Sequence, residues 1–223
     1  MKEWVNYYNE RASRIKDPIE IAEMSITKEQ YKLDVQKILS YLSLPKDDIL
    51  VDLGCCTGNS IEMVKPYVKS IIGVDMSVNA LSCAQSRHPD CQFILDDVTT
   101  LKSFKDKSYS LFLCFGLLHY LSDEEISQLF ATLSRIIKSN GTICFLRVPD
   151  IVYYDSYQSY RRNKYNKNKI VDNLKWNWIS EEIIYNLALD HGFIYERKKQ
   201  LVQSKMPMQA FFDFSLKINP ITK

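Results

Sequence analysis

Short apolar runs alternate with amphipathic segments from residue 49 onward. Ile49–Leu53 (ILVDL), Ser70–Asp75 (SIIGVD), Gln92–Leu95 and Tyr109–Cys114 (YSLFLC) have the length and the Ile, Val, Leu and Phe content of buried strands. Between them the pattern predicts helices over Asn59–Val64, ending near Pro66, and over Val78–Arg87. Ser122 and Glu125 stand at the spacing at which each side chain satisfies the other's free backbone N–H, so a long helix is predicted from there to about Lys138. Asn140-Gly141 reads as a turn leading into a strand over Thr142–Arg147. Ser180 reads as the cap of a helix to about His191, with Gly192 ending it. Tyr195–Leu201 and Phe211–Lys217 are the last two strand candidates, joined through Met206-Pro207. Alternating strands and helices predict a mostly parallel sheet covered on both faces, and two consecutive final strands predict an antiparallel pair at one edge.

Two regions fall outside this rhythm. Residues 1–46 read as helical, with breaks at Asp17-Pro18 and Leu44-Pro45 and capping-box spacing between Thr27 and Gln30. Residues 149–178 are too long for a plain connection. They are rich in tyrosine, carry Trp176 and Trp178, and include the basic run YRRNKYNKNK. There is no internal repeat, and the chain reads as a single domain over residues 1–223.

Composition narrows the function classes. A formal charge of +2 over 223 residues does not by itself imply nucleic-acid binding. No apolar run reaches the length of a membrane span, and MKEWVNYYNERASR has no apolar core of a signal peptide, so neither a membrane span nor export is expected. Cys55, Cys56, Cys83, Cys91, Cys114 and Cys144 match no zinc spacing and read as reduced, structural thiols of a cytoplasmic protein, with no metal expected.

The candidate chemistry begins at VDLGCCTGNS, Val51 to Ser60. A strand ends at Leu53, a tight turn follows, and a helix opens near Gly58. In an open parallel sheet such a loop, beyond the carboxyl ends of the strands, is the default ligand site. Gly54 and Gly58 permit close approach to the backbone. Asp75, ending the next strand, stands where an acid can bind ribose hydroxyls. A dinucleotide fingerprint would need glycine where Cys56 and Asn59 stand, and a phosphate-binding P-loop would need a second glycine at Asn59 and a lysine after it. A nucleoside without a phosphate chain remains.

VDLGCCTGNS resembles motif I of the class I S-adenosylmethionine-dependent methyltransferases. GVDMS (Gly73–Ser77), LDDVTTL (Leu95–Leu101), YSLFLCFGLLHYL (Tyr109–Leu121) and LSRIIKSNGTICFLRVPD (Leu133–Asp150) are similar to the later motifs, in family order. The resemblance implies a Rossmann-like α/β fold: a seven-stranded sheet of order 3-2-1-4-5-7-6, strand seven antiparallel, flanked by helices. It implies S-adenosylmethionine as cofactor and S-adenosylhomocysteine as product. Gly54 and Gly58 would approach the methionine part, and Asp52 would steady the loop and reach the amino group through water. Asp75, with Met76 beside it, would bind the ribose diol. Asp97, or its neighbour Asp96, would accept from the adenine amine, with the Val98 backbone serving the ring. Phe115 and Gly116 would pass close to the methionyl end. Cys56 replaces a glycine common in relatives. It is expected to be tolerated within conformations open to L-residues and to narrow the pocket beside the methionine chain.

Methyl transfer from a sulfonium is an in-line displacement that chiefly requires alignment and exclusion of water. His119, after strand four, is the candidate general base for a hydroxyl acceptor; the competing reading is packing against the cofactor or the next helix. Residues 1–46 would form a helical lid, and residues 149–178 an insertion contributing to the acceptor pocket, with Tyr8, Arg147, Tyr154 and Trp176 as its candidate lining. Arg161, Arg162, Lys164, Lys167 and Lys169, interleaved with Tyr160 and Tyr165, read either as a solvated run or as contacts to an anionic acceptor such as a sugar nucleotide. YYNERA…DP and MPMQAFFDFSLKI resemble methyltransferases of surface-polysaccharide and small-molecule pathways. O-methylation of a small molecule or glycan precursor is therefore expected. The alternatives are a non-enzymatic S-adenosylmethionine-binding or regulatory protein and an RNA methyltransferase. CFGLLHY stands where Asn/Asp-Pro-Pro-Tyr would mark base amino methylation, so a nucleic-acid partner is not expected.

Overall fold

Seven strands pair into one sheet: β1 (Ile49–Leu53), β2 (Ser70–Asp75), β3 (Gln92–Leu95), β4 (Tyr109–Phe115), β5 (Ile137–Pro149), β6 (Phe193–Lys198) and β7 (Phe211–Ile218). Their order is β3-β2-β1-β4-β5-β7-β6; β1 to β5 run parallel, and β7 lies antiparallel to both β5 and β6. This is the Rossmann-like methyltransferase sheet that the motifs imply. The structure, a computed structural model, describes residues 2–22, 28–42, 47–164, 176–198 and 208–220. The Thr27 cap, the Leu44-Pro45 break, Tyr165, Lys167 and Lys169 of the basic run, and Met206-Pro207 lie outside these residues.

The central strands are mostly apolar because both faces are covered. Successive side chains point to opposite faces. Val51, Leu53, Phe112, Cys114, Ile143 and Phe145 therefore enter one buried cluster, while Leu50, Leu111, Leu113, Cys144 and Leu146 enter the other. The first face is closed by α6 (Asp123–Ile136) and α8 (Glu181–Asp190), the second by α3 (Lys28–Leu42), α4 (Asn59–Val64) and α5 (Val78–Arg87). Helix α6 shows why: Ile126, Leu129, Phe130, Leu133 and Ile136 recur at helical spacing and are all buried. Its first turn is held by the reciprocal Ser122–Glu125 capping box.

Several boundaries differ from the sequence pattern. Asn140-Gly141 is not a turn. Helix α6 stops at Ile136, and β5 runs from Ile137 through that pair, with extra residues bulged between the pairings Tyr109–Ile137 and Leu111–Thr142. Glycine is needed there because a Cβ on Gly141 would lie 2.4 Å from Ile137 Cγ1. Ser180 sits at the N-cap of α8 without a side-chain cap hydrogen bond. Strand β6 begins two residues early, at Phe193. The first part of the 149–178 segment is helical, α7 (Tyr154–Lys164), and carries the start of the basic run.

The N-terminal elements α1 (Lys2–Arg14) and α2 (Pro18–Ile21) lie over the carboxyl ends of β1 and β2. Asn9 Oδ1 accepts from Ser77 Oγ at 2.9 Å, and the Asn9 carbonyl accepts from Asn79 Nδ2 at 2.9 Å. The Pro18 carbonyl accepts from Thr57 Oγ1 and Asn59 Nδ2 at 2.9 and 3.1 Å. Among the described residues no helix is long and apolar enough to cross a membrane.

Candidate functional site

The carboxyl ends of β1, β2, β4 and β5 open into one cavity of about 200 Å³, roofed by Trp4, Val5 and Tyr8 of α1. Its floor is the loop after β1. Gly54 and Cys55 both donate backbone N–H to the Val74 carbonyl, at 2.8 and 3.0 Å, which folds the loop back over β2. Gly54, Cys56 and Gly58 all take positive φ, at 72°, 47° and 79°. Cys56 therefore keeps the left-handed backbone that a glycine would take, and its thiol lines the cavity. Burial, then the neighbouring Asp75, pushes that thiol up to about 12, so it stays protonated at neutral pH.

Asp75 is the fixed point of the nucleoside end. Its Oδ1 accepts from Ser77 N at 2.8 Å and its Oδ2 from Cys56 N at 2.9 Å. Burial raises its carboxyl, while the backbone donors of Ser77, Cys56 and Met76 oppose that rise. Each oxygen keeps a lone pair for a further donor, and Asp75, Met76 and Val98 all line the cavity. Asp97, predicted to meet the base, is not among the lining residues: its Oδ1 is committed to Thr99 N and Oγ1 at 2.8 and 2.7 Å, and its Oδ2 has no partner among the described residues. Its rival Asp96 accepts from Asp97 N and from both Ser103 donors, so both its oxygens are engaged in the loop. Burial works to raise the Asp96 carboxyl; the Ser103, Asp97 and Lys102 donors outweigh it and hold it below the usual range.

Two predicted residues stand behind the cavity wall. Asp52 is buried; its Oδ2 accepts from Ser60 Oγ at 2.5 Å, and its Oδ1 has no partner. Burial pushes it up to about 7. Ser60, which the sequence reading overlooked, is the cavity-lining relay to it. Gly58 backs onto His88, whose Cδ2 would lie 2.8 Å from an added Cβ, and does not line the cavity.

The far end is aromatic. Phe115, His119, Tyr120, Trp176 and Phe211 line it together with Tyr8, whose hydroxyl is 2.7 Å from that of Tyr120. Gly116 takes φ 63°, and a Cβ there would meet nothing nearer than His119 Cε1 at 3.8 Å, so the space above the end of β4 is open. The His119 ring packs against Tyr120 and Trp176, at centroid distances of 3.9 and 4.5 Å. Both its nitrogens are buried without a partner, and burial pushes it down to about 3. Arg147 lines this end. Tyr154 does not: it stands partly exposed, edge-on to Trp178 at 5.4 Å, while Tyr157 packs on Trp176 at 6.0 Å. Among the described residues no cluster of His, Cys, Asp or Glu could hold a metal ion.

The open space at Gly116, the left-handed loop at Gly54, the twice-anchored Asp75 and the orphaned Asp52 oxygen fit a nucleoside with an amino-acid tail. Comparison with known proteins agrees: residues 50–141 match the methyltransferase domain family. Those residues form an S-adenosylmethionine-dependent methyltransferase domain. The domain is 32% identical over 120 residues to trans-aconitate 2-methyltransferase of Variovorax paradoxus, covering 52% of this chain and 44% of that protein. It is 31% identical over 102 residues to a probable S-adenosylmethionine-dependent methyltransferase, CRG1, of Saccharomyces cerevisiae, covering 43% and 34%. The chain thus spans less than half the length of these curated relatives. In fold it is similar to an S-adenosylmethionine-dependent methyltransferase from Clostridium acetobutylicum (TM-score 0.67, 16% identity, 90% of this chain and 96% of that one). It is also similar to structures that include the Haloferax volcanii complex between the Trm112 methyltransferase activator and a putative methyltransferase (TM-score 0.69, 15% identity, 96% and 97%).

Proposed function

We propose that this chain is a methyltransferase that moves the methyl group of S-adenosylmethionine to an oxygen of a small molecule. The observation that carries the reading is that one cavity joins Asp75, anchored by two backbone N–H groups, to the open aromatic space above Gly116. A nucleoside held at the first end would place its reactive tail at the second.

The bound cofactor would supply an activated methyl group. Asp75 would take the ribose hydroxyls, Asp97 Oδ2 and Val98 the base, and Gly54 and Ser60 the amino-acid tail, with Asp52 behind Ser60. Trp4, Tyr8 and Asn9 of α1 would act as a lid that excludes water, and residues 149–178 would complete the acceptor pocket through Trp176. A small-molecule or glycan acceptor fits the narrow aromatic space better than RNA does. All six cysteines are free thiols, which supports a reducing, cytoplasmic setting.

Titration calorimetry with S-adenosylhomocysteine tests the cofactor half of the reading. Wild type should bind, and Asp75→Ala should bind at least tenfold more weakly, because a charge-assisted diol contact is worth about 1.5–3 kcal/mol. No heat from wild type at millimolar ligand would refute it. Binding without S-adenosylhomocysteine release across acceptors would make the chain a binding protein instead.

A further inference from the structure

We infer that the acceptor is a small carboxylate with a flat apolar body, held by Arg147 and methylated on its carboxylate oxygen; this rests on the methyltransferase reading above. Arg147 is placed with unusual effort. It takes φ 58°, a left-handed backbone that is costly for an L-residue with a Cβ, where the pairing of β5 with β7 slips between Phe145 and Val148. Asp213 holds that bulge: its Oδ1 accepts from Arg147 N at 2.9 Å, and its Oδ2 pairs with buried Lys37 at 2.6 Å. A bulge re-aims a side chain. This one lays the guanidinium over the Phe115 ring, 5.0 Å from its centroid, and into the cavity wall.

The guanidinium is only partly satisfied. Nη2 donates to the fully buried Asp34 carboxylate at 2.6 Å, while Nε is buried without a partner. A buried donor left unmade is costly, so a guanidinium that shifts to meet an acceptor atom in the cavity gains by doing so. Arg147 is the only Lys or Arg among the residues described as lining the cavity, and Asp75 the only acid. They lie three strand positions apart, about 14 Å at ordinary strand spacing. Asp34 already balances the guanidinium's charge, so Arg147 offers a fork of N–H donors, which suits one carboxylate and is too little for a phosphate chain. Trp176, Phe211 and His119 beside it offer flat apolar faces.

The chemistry agrees. A hydroxyl acceptor must lose a proton, and His119, the one imidazole among the described lining residues, is held neutral and weakly basic by burial. A carboxylate needs no base. Its oxygen lone pair would form the new O–C bond as the C–S bond breaks. That bond's electron pair would stay on sulfur, the sulfonium and carboxylate charges would cancel, and no proton would move.

The test uses the full chain saturated with S-adenosylhomocysteine and reads the fluorescence of its three tryptophans, Trp4, Trp176 and Trp178, as cinnamate, cinnamyl alcohol and cinnamamide are titrated. Cinnamate should bind at least tenfold more tightly than its two uncharged analogues. The neutral-pair variant R147Q/D34N, which avoids stranding a buried charge, should lose that preference while keeping its affinity for S-adenosylhomocysteine. With radiolabelled S-adenosylmethionine, label passed to an acceptor carboxylate should be released as volatile methanol in alkali, as an ester requires. Equal binding of the three probes by wild type, or undiminished preference in the variant, overturns the proposal. A parallel fall in S-adenosylhomocysteine affinity would assign Arg147 to the cofactor's own carboxylate and overturn it too. Failure of wild type to bind S-adenosylhomocysteine would instead refute the methyltransferase reading.

Discussion

Asp52→Asn should stabilise the protein at neutral pH and leave it unchanged in acid. Asp52 is about 1% exposed, and burial raises its carboxyl from 3.8 to about 7. The folded state therefore holds a proton between those values that the unfolded chain has released, and stability from the neutral acid is lost as pH rises through that window. About three units at 1.36 kcal/mol each give roughly 4 kcal/mol, fully lost above pH 7. Asparagine mimics the protonated acid and can still accept from Ser60, so it escapes the loss. The wild-type profile alone would hide this. His119 is pushed from 6.5 down to about 3, so its neutral burial stabilises above pH 6.5 and that stability is lost as pH falls toward 3. From about pH 4 to 6.5 the two slopes oppose each other. The difference between variant and wild type cancels His119 and the other groups that do not interact with Asp52. Urea unfolding of both proteins from pH 4 to 8.5 should show that difference growing from near zero to several kcal/mol. A difference that is flat with pH, or largest in acid, would refute the burial argument.

Cofactor binding should feel the same proton. If the amino group of S-adenosylhomocysteine favours ionised Asp52, its affinity should rise up to tenfold per pH unit between 6 and 7 and level above 7; calorimetry in two buffers would detect the released proton, and Asp52→Asn should abolish it. Cys56→Val should cost about 2 kcal/mol, because a β-branched residue at φ 47° is strained, whereas Cys56→Gly should be neutral or stabilising by up to about 1 kcal/mol. Thermal melting distinguishes the pair, and equal melting temperatures would deny the left-handed backbone. Lys37→Met should destabilise by about 3–5 kcal/mol in urea, because it strands the buried Asp213 carboxylate 2.6 Å away.

What the sequence disclosed depended on how local the cause was. Strands β1 to β4 were legible almost to the residue, because a strand buried on both faces is a continuous apolar run. Asn140-Gly141 misled because its turn preference is local, while pairing of β5 with β4 is not and prevailed. Helix α7 was hidden: YDSYQSYRRNK has no strong apolar stripe, and it is Tyr157, one turn beyond Tyr154, that reaches Trp176. The cofactor half of the cavity was readable from the loop after β1, since Gly54, Cys56 and Asp75 lie within two consecutive strand ends. Ser60 was missed although it lies on the same helix face as the loop's ligand side. The signal that could have found it is its spacing from Asp52, eight residues on across a tight loop and at the start of the next helix.

The acceptor half shows the opposite case. Arg147 could be named as a candidate from its place at the end of β5, but nothing near it in sequence says what it does. Its orientation is decided by Asp213, 66 residues later, and by Asp34, 113 residues earlier. Both acids are buried; Asp34 belongs to no motif, and Asp213 lies in MPMQAFFDFSLKI, whose resemblance assigns it no role. A buried carboxylate survives only where a cation meets it, so these two fix Arg147 and Lys37 as firmly as they are fixed by them. A methyl acceptor would then meet a guanidinium already desolvated and aimed, with one donor unmet. Such a group discriminates by what it loses when left unpaired, so the pocket should reject an uncharged analogue of the right shape more strongly than an ill-fitting carboxylate.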